Sequence, residues 1–312
     1  MWWPRAQSRI PKTDASAAER LTDVLADVRR VEVRTGRMIT DVMSGGYRST
    51  FRGLGVEFAE VREYVEGDDP RMVDWNVTAR AGRPFVKRFV EERERTLVFV
   101  LDLSPSMAFG MGAWSLRQAA SRYCAMLGRM AIDNHDRVGL VAGDRFVLPQ
   151  PGGGHVLRVL EDCVRQPHEA SCQLARRIAT ATARVRRRAV LFVISDFLTP
   201  GYEHALTLAG RRQDVVAVRL IGRELVDPPR RLIRALAPVG GDSGWTEQLC
   251  DFADGRFRAA WCEQAAAWRE RHDDVVGRAG VEGLDVELPA DPDVQQLAAP
   301  LLRFFRRRAG VR

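Results

Sequence analysis

Lysine is almost missing from this chain: of its 48 basic residues, only Lys12 and Lys87 are lysines. The rest are arginines spread along the whole length, so the formal charge of +7 is not gathered into one patch. Nucleic-acid binding needs such a patch or stripe, and charge alone is what speaks for it here. The densest clusters, Arg184 to Arg188 and Arg306 to Arg308, fall at expected helix ends, where cations suit the helix dipole. An acidic protein partner suits the same charge.

Other absences narrow the class further. No run approaches the roughly 18 apolar residues of a membrane helix, and Met1-Trp2-Trp3-Pro4-Arg5 has neither the core nor the cleavage site of a signal peptide. The expectation is a cytoplasmic protein. The five cysteines form no CxxC pair and have no histidine at zinc-finger spacing, which argues against a disulfide framework or a structural zinc. There is no G-x-x-x-x-G-K-[ST] phosphate loop: Gly152-Gly153-Gly154-His155 lacks its lysine and spacing. No Ser-His-Asp or Cys-His motif is visible, and the five histidines are scattered. These gaps point away from an enzyme.

What is present is a rhythm. Residues 1–43 contain a helical segment whose Leu21, Val24, Leu25, Val28 and Val31 recur at spacings of three and four. Residues 44–96 are punctuated by glycines and read as a small β-rich unit of brief strands and turns rather than helices. From 97 to 312 buried strands alternate with helices. Leu97 to Leu101 and Ala189 to Ser195 are apolar runs, as expected for strands covered on both faces, and Val215 to Leu220 reads as a third buried strand. The expected fold is α/β, a doubly wound, mostly parallel sheet.

Two of those strands end on aspartates, Asp102 and Asp196. Ligands of open parallel sheets bind outside the carboxyl ends of the strands. In Asp102-Leu103-Ser104-Pro105-Ser106, alternation along an extended turn presents a carboxylate and two hydroxyls on one side. Hard oxygens of this kind suit Mg2+, or another divalent cation, with a position left for a partner's carboxylate. The plainer reading is that both aspartates only cap the helices that follow. A magnesium-dependent hydrolase at Asp102 and Asp196 is a further alternative, but Ser104 stands where a haloacid-type phosphatase would want a second aspartate.

Asp102-x-Ser104-x-Ser106 followed by Asp196 resembles the metal-ion-dependent adhesion site of von Willebrand factor A domains. That family adds a threonine from an intervening loop, and the resemblance assigns its place to Ser171, ahead of Thr180 and Thr182. The segment Gly53-Leu54-Gly55-Val56-Glu57-Phe58, Arg62-Glu63-Tyr64, Gly67-Asp68-Asp69-Pro70-Arg71 and Asp74-Trp75-Asn76-Val77-Thr78-Ala79-Arg80 is similar to the hallmark of one bacterial family. This is the domain of unknown function 58 family, von Willebrand factor A-like proteins associated with MoxR-type AAA+ ATPases. The resemblance implies a non-enzymatic, metal-dependent interaction module, an adaptor or co-chaperone of such an ATPase. An acidic residue of the partner would complete the metal shell. Many members carry membrane helices, and this chain reads as a soluble, short form. Trp75 is expected as a packing residue.

Overall fold

A computed structural model describes residues 5–6, 21–35, 57–90, 95–167, 169, 172–239 and 244–310. The chain divides into two compact units, residues 52–94 and the remainder. The larger unit opens with the short strand β1 (Arg5–Ala6) and helix α1 (Leu21–Thr35). The smaller unit pairs β2 (Glu57–Glu63) antiparallel with β3 (Phe85–Val90), and helix α2 (Trp75–Ala81) lies between them in sequence.

Helix α2 corrects the expectation that residues 44–96 hold strands and turns only. Asp74 caps its first turn, accepting from the N–H groups of Asn76 and Val77, and Gly82 closes it at φ 71°. An Asp before the helix and a left-handed Gly after it satisfy end groups that seven residues could not satisfy alone. The pattern was visible, but too short for apolar periodicity to reveal it.

Six strands build the sheet of the larger unit: β4 (Thr96–Leu101), β5 (Arg137–Ala142), β6 (Arg145–Gln150), β7 (Val190–Ser195), β8 (Asp214–Ile221) and, after two further strands, β11 (Glu282–Glu287). Their order is β11-β8-β7-β4-β5-β6, parallel throughout except for β6, which returns antiparallel against β5. Helices α3 (Leu116–Asp133), α4 (Gly153–Arg165), α5 (Leu174–Arg184), α6 (Glu203–Arg212), α7 (Gly255–Ala279) and α8 (Val294–Gly310) cover both faces. This is the doubly wound, Rossmann-like α/β architecture.

The period of two along each strand divides the core. Leu97, Phe99, Leu101, Phe192 and Ile194 join the cluster under α1, α3, α4 and α8. Val98, Val100, Leu191 and Val193 join the opposite cluster under α5, α6 and the end of α7. Helix α1 belongs to the first layer through Val24 and Val28. It is also tied by charge, since Arg122 of α3 donates from Nε and Nη2 to Asp27 Oδ2 at 2.9 and 2.6 Å.

The sequence reading did not anticipate the antiparallel hairpin of β9 (Leu232–Val239) and β10 (Gly244–Asp251), whose β9 also pairs with β1. At its base Ile233, Cys250 and Phe252 pack with Trp261 and Trp268 of α7. Among the described residues, no helix is long and apolar enough to cross a membrane.

Phe192 lies fully buried in the middle of β7, its ring centroid 6.5 Å from that of Phe99. Phe192→Ala is therefore expected to cost about 3–5 kcal/mol, measured as a lower urea midpoint at unchanged slope. A cost below about 1 kcal/mol would mean that the cluster under α3, α4 and α8 does not depend on this ring.

Candidate functional site

Strands β4 and β7 are neighbours, paired from Leu97 with Val190 to Leu101 with Ile194, so their carboxyl ends stop side by side. The chain leaves β4 toward β5 on one side, and β7 opens the run toward β8 and β11 on the other. Asp102 and Asp196 thus flank the switch point of the sheet, where ligands of this architecture bind. The backbone N–H of Asp102 still donates to Ile194 O at 3.0 Å, which fixes the height of the loop above the sheet.

Each carboxylate folds its own turn. Asp102 Oδ1 accepts from the N–H of Ser104 at 2.9 Å, and Asp196 Oδ1 accepts from the N–H of Leu198 at 3.0 Å. Asp102 Oδ2 accepts from the hydroxyl of Ser195 at 2.6 Å. A short 3-10 turn, Pro105–Ala108, then places Ser106 so that its Oγ lies 2.8 Å from Ser104 Oγ. Asp102, Ser104, Ser106 and Asp196 are all buried. The structure therefore gathers Asp102, Ser104 and Ser106 at the end of one strand, and sets Asp196 at the end of the next. Ser171 lies outside the described residues. The hydroxyls of Thr180 and Thr182 are turned onto their own helix, donating to Arg176 O and Ile178 O.

The backbone after Asp196 is held under strain. Phe197 has φ +50°, a left-handed conformation costing a residue with Cβ roughly 1–2 kcal/mol. It is over-determined by its surroundings. Its N–H donates to Ser195 Oγ at 2.9 Å, its carbonyl accepts from Trp268 Nε1 at 3.2 Å, and its ring lies 4.4 Å from that of His272. His272 Nδ1 in turn meets the Tyr202 hydroxyl at 2.9 Å.

A family model described as "Protein of unknown function DUF58" matches residues 60–271. The chain belongs to that family. Uncharacterized proteins of Mycobacterium bovis and Mycobacterium tuberculosis are 29% identical to it over 212 residues, covering 65% of this chain and 67% of theirs. A crystal structure of an aerotolerance-related membrane protein from Bacteroides fragilis aligns with 69% of this chain and 98% of its own, at 17% identity and a TM-score of 0.36.

Several residues around this candidate site were not singled out from sequence. Arg177 is the foremost. It is only 2% exposed, with Nη1 3.5 Å from Asp102 Oδ1 and Nη2 paired with Glu169. The signal was there: Leu174, Arg177, Ile178 and Ala181 form the buried stripe of α5, so an arginine sits at a core position and must meet a carboxylate. Glu224 follows β8. Its Oε2 accepts from the N–H of Met111 at 3.2 Å, and burial pushes its carboxyl up, with the charge of Asp196 adding to the shift. Gly222 leaves it room, since a Cβ there would come within 2.1 Å of Glu224 Oε1. The Cys172 thiol, next to Ser171 in sequence, is pushed up to about 12 by burial and then by the charge of Asp102. Among the described residues no three His, Cys, Asp or Glu side chains form a ready cation cluster. The donor set here is mixed, of carboxylates and hydroxyls.

In the smaller unit, Trp75 is 72% exposed rather than packed. Asp68 and Asp74 spend their charge locally: Arg62 and the N–H of Val65 hold Asp68, and Asp74 caps α2.

Burial, reinforced by the charge of Arg219, holds the His272 imidazole down at about 4. The unfolded chain titrates it near ~6.5, so between those values the unfolded state binds the extra proton and stability falls as pH drops. The loss from this group should approach about 3 kcal/mol by pH 4. Urea unfolding at pH 7, 5.5 and 4.5 should show a steeper decline for the natural chain than for His272→Gln. Parallel declines would mean that the fold does not hold the His272 imidazole neutral.

Proposed function

We propose that this chain is a non-enzymatic, metal-dependent protein-interaction module. Asp102, Ser104, Ser106 and Asp196 are the residues that would hold Mg2+ or another divalent cation, with Ser171 as a further hydroxyl. An acidic side chain of the partner completes the shell. The partner is a MoxR-type AAA+ ATPase, for which the chain serves as adaptor or co-chaperone.

One observation carries this reading: the pairing of Ser104 Oγ and Ser106 Oγ at 2.8 Å in the turn whose Ser104 N–H the Asp102 carboxylate holds. Two oxygens on adjacent corners of an octahedron with bonds of ~2.1 Å stand about 3.0 Å apart, so the hydroxyls already have the separation that two such ligands need. Carboxylate and hydroxyl oxygens are hard donors, matched to Mg2+ rather than to soft metals. A bound divalent ion would supply a positive point at which a carboxylate from another protein can bind. The arginine-rich surface favours the approach of an acidic partner.

The expected result is Mg2+ binding to the full chain in a calorimetric titration, tightened when the ATPase is added. Ser104→Ala deletes one small hydroxyl and should weaken binding by at least about tenfold, the loss seen even for outer-shell partners of metal ligands. Asp102→Asn should abolish it. Asp102→Ala is the poorer probe, because it also loses the oxygen that holds the Ser104 N–H; both variants strip the counter-charge from buried Arg177, at about 3–5 kcal/mol, so folding is checked by thermal melting. Absence of Mg2+ binding with and without the ATPase would sink the proposal, as would binding that Ser104→Ala and Asp102→Asn both leave intact.

A further inference from the structure

We propose that Arg177 is a built-in cation that competes with Mg2+ for Asp102 and so sets the metal affinity of the site. This rests on the metal reading above and adds to it a residue that tunes the site without ligating the ion.

The position of Arg177 is unusual for a metal site. It projects from the buried stripe of α5 and carries its charge to Asp102 Oδ1, the same oxygen that accepts the Ser104 N–H. A guanidinium keeps its charge at any physiological pH. Inside the protein, where screening is weak, it repels a second cation brought to the same carboxylate. The pairing with Asp102 is also incomplete. The separation is 3.5 Å, longer than a well-formed charge-assisted hydrogen bond, and the buried Arg177 Nε has no hydrogen-bond partner. The guanidinium is therefore held near Asp102 without being locked onto it.

A second resting place lies alongside. Arg177 Nη2 is paired with Glu169, whose backbone N–H donates to Leu103 O at 2.8 Å, so this carboxylate is anchored to the loop that carries Ser104. Both residues line a cleft of about 450 Å³ between the β5–β6 turn and α5, which Asp144, paired with Arg176 at 3.1 Å, also lines. Turning away from Asp102 frees Nη1 to join Nη2 on the Glu169 carboxylate, a two-bonded pair in place of the present single one, and releases Asp102. Two arrangements follow: one in which Arg177 neutralises Asp102, and one in which Mg2+ takes Asp102 while Glu169 retains Arg177. Because the two cations exclude each other, whatever stabilises the second arrangement tightens metal binding by the same factor.

The test is Mg2+ calorimetry and thermal melting on the full chain, its Arg177→Met, Arg177→Lys and Glu169→Gln variants. Arg177→Met keeps length and removes charge, and should bind Mg2+ at least about tenfold more tightly, a common size for coupling between two ligands. Arg177→Lys keeps the charge and should stay near the natural affinity. Glu169→Gln deprives Arg177 of its alternative and should weaken binding. Without metal, Arg177→Met should melt below the natural chain, because Asp102 loses its counter-charge, and saturating Mg2+ should close that gap. A variant that folds only with Mg2+ would give the same answer. If the natural chain binds Mg2+ and Arg177→Met binds no tighter, the competition is refuted and the metal site survives. Should Arg177→Met not fold at all, an unchanged affinity in Glu169→Gln refutes it equally. If neither the natural chain nor any variant binds Mg2+, the metal site and the competition fall together.

Discussion

Strands β4 and β7 must lie side by side, parallel and in register, before any polar group of the site can meet another. From Leu97 to Leu101 and from Val190 to Ile194 both are apolar on both faces and buried, so they leave no place along these stretches for a carboxylate. The first polar side chains appear where the strands end. There the Ser195 hydroxyl reaches Asp102 and the Asp102 N–H reaches Ile194 O, and two loops from distant parts of the chain are joined at one level. The Ser104 and Ser106 hydroxyls, the Phe197 kink and the Glu169 contact to Leu103 are built outward from that junction.

Burying charge at such a place requires counter-charge, and the same solution recurs in this fold. Arg177 of α5 meets Asp102 and Glu169, Arg219 of β8 meets Asp285 of β11 and Asp273 of α7, and Arg122 of α3 meets Asp27 of α1. In every case the cation stands where an apolar residue would be ordinary, and its partner comes from another element. Pairs of this kind add little net stability over a well-packed apolar pair, but losing one member is costly. They therefore oppose any slip of α5 on the site loop, of β11 along β8, or of α1 on α3. Arg219 also lies over the Trp268 ring at 5.1 Å, and Trp268 holds the Phe197 carbonyl, so the network at the sheet edge extends to the residue after Asp196.

Legibility in the sequence followed burial. Strands such as Leu97 to Leu101 and Ala189 to Ser195 announce themselves because two covered faces demand unbroken apolar runs, and their terminal aspartates stand out by contrast. Asp102, Ser104 and Ser106 were visible because they are close in sequence. Arg177 was not, because among so many arginines one more carries no signal until its helical face is known. Helix α2 escaped because its order comes from its caps, and the β9–β10 hairpin because neither strand alternates cleanly. Glu224 comes near Asp196 only through the placement of β8 beside β7, a relation that no local pattern encodes.

The plainest account of the two aspartates is that they do no more than shape their own turns. It explains one oxygen of each, Asp102 Oδ1 toward the Ser104 N–H and Asp196 Oδ1 toward the Leu198 N–H. It does not explain why Ser104, which precedes the Pro105 turn, makes no side-chain cap there and instead faces the Ser106 hydroxyl in a buried position. Nor does turn-shaping call for an arginine to be carried into the interior beside Asp102, at the desolvation cost that opposes its charge. A site that must hold a divalent cation part of the time has a use for both features. In the proposed reading the hydroxyls would be neutral ligands that need no compensation when the ion is away, and the guanidinium would supply charge to Asp102 in the interval. Turn-shaping and cation binding would then be successive uses of the same carboxylate, one oxygen fixing the loop while the charge passed between arginine and metal.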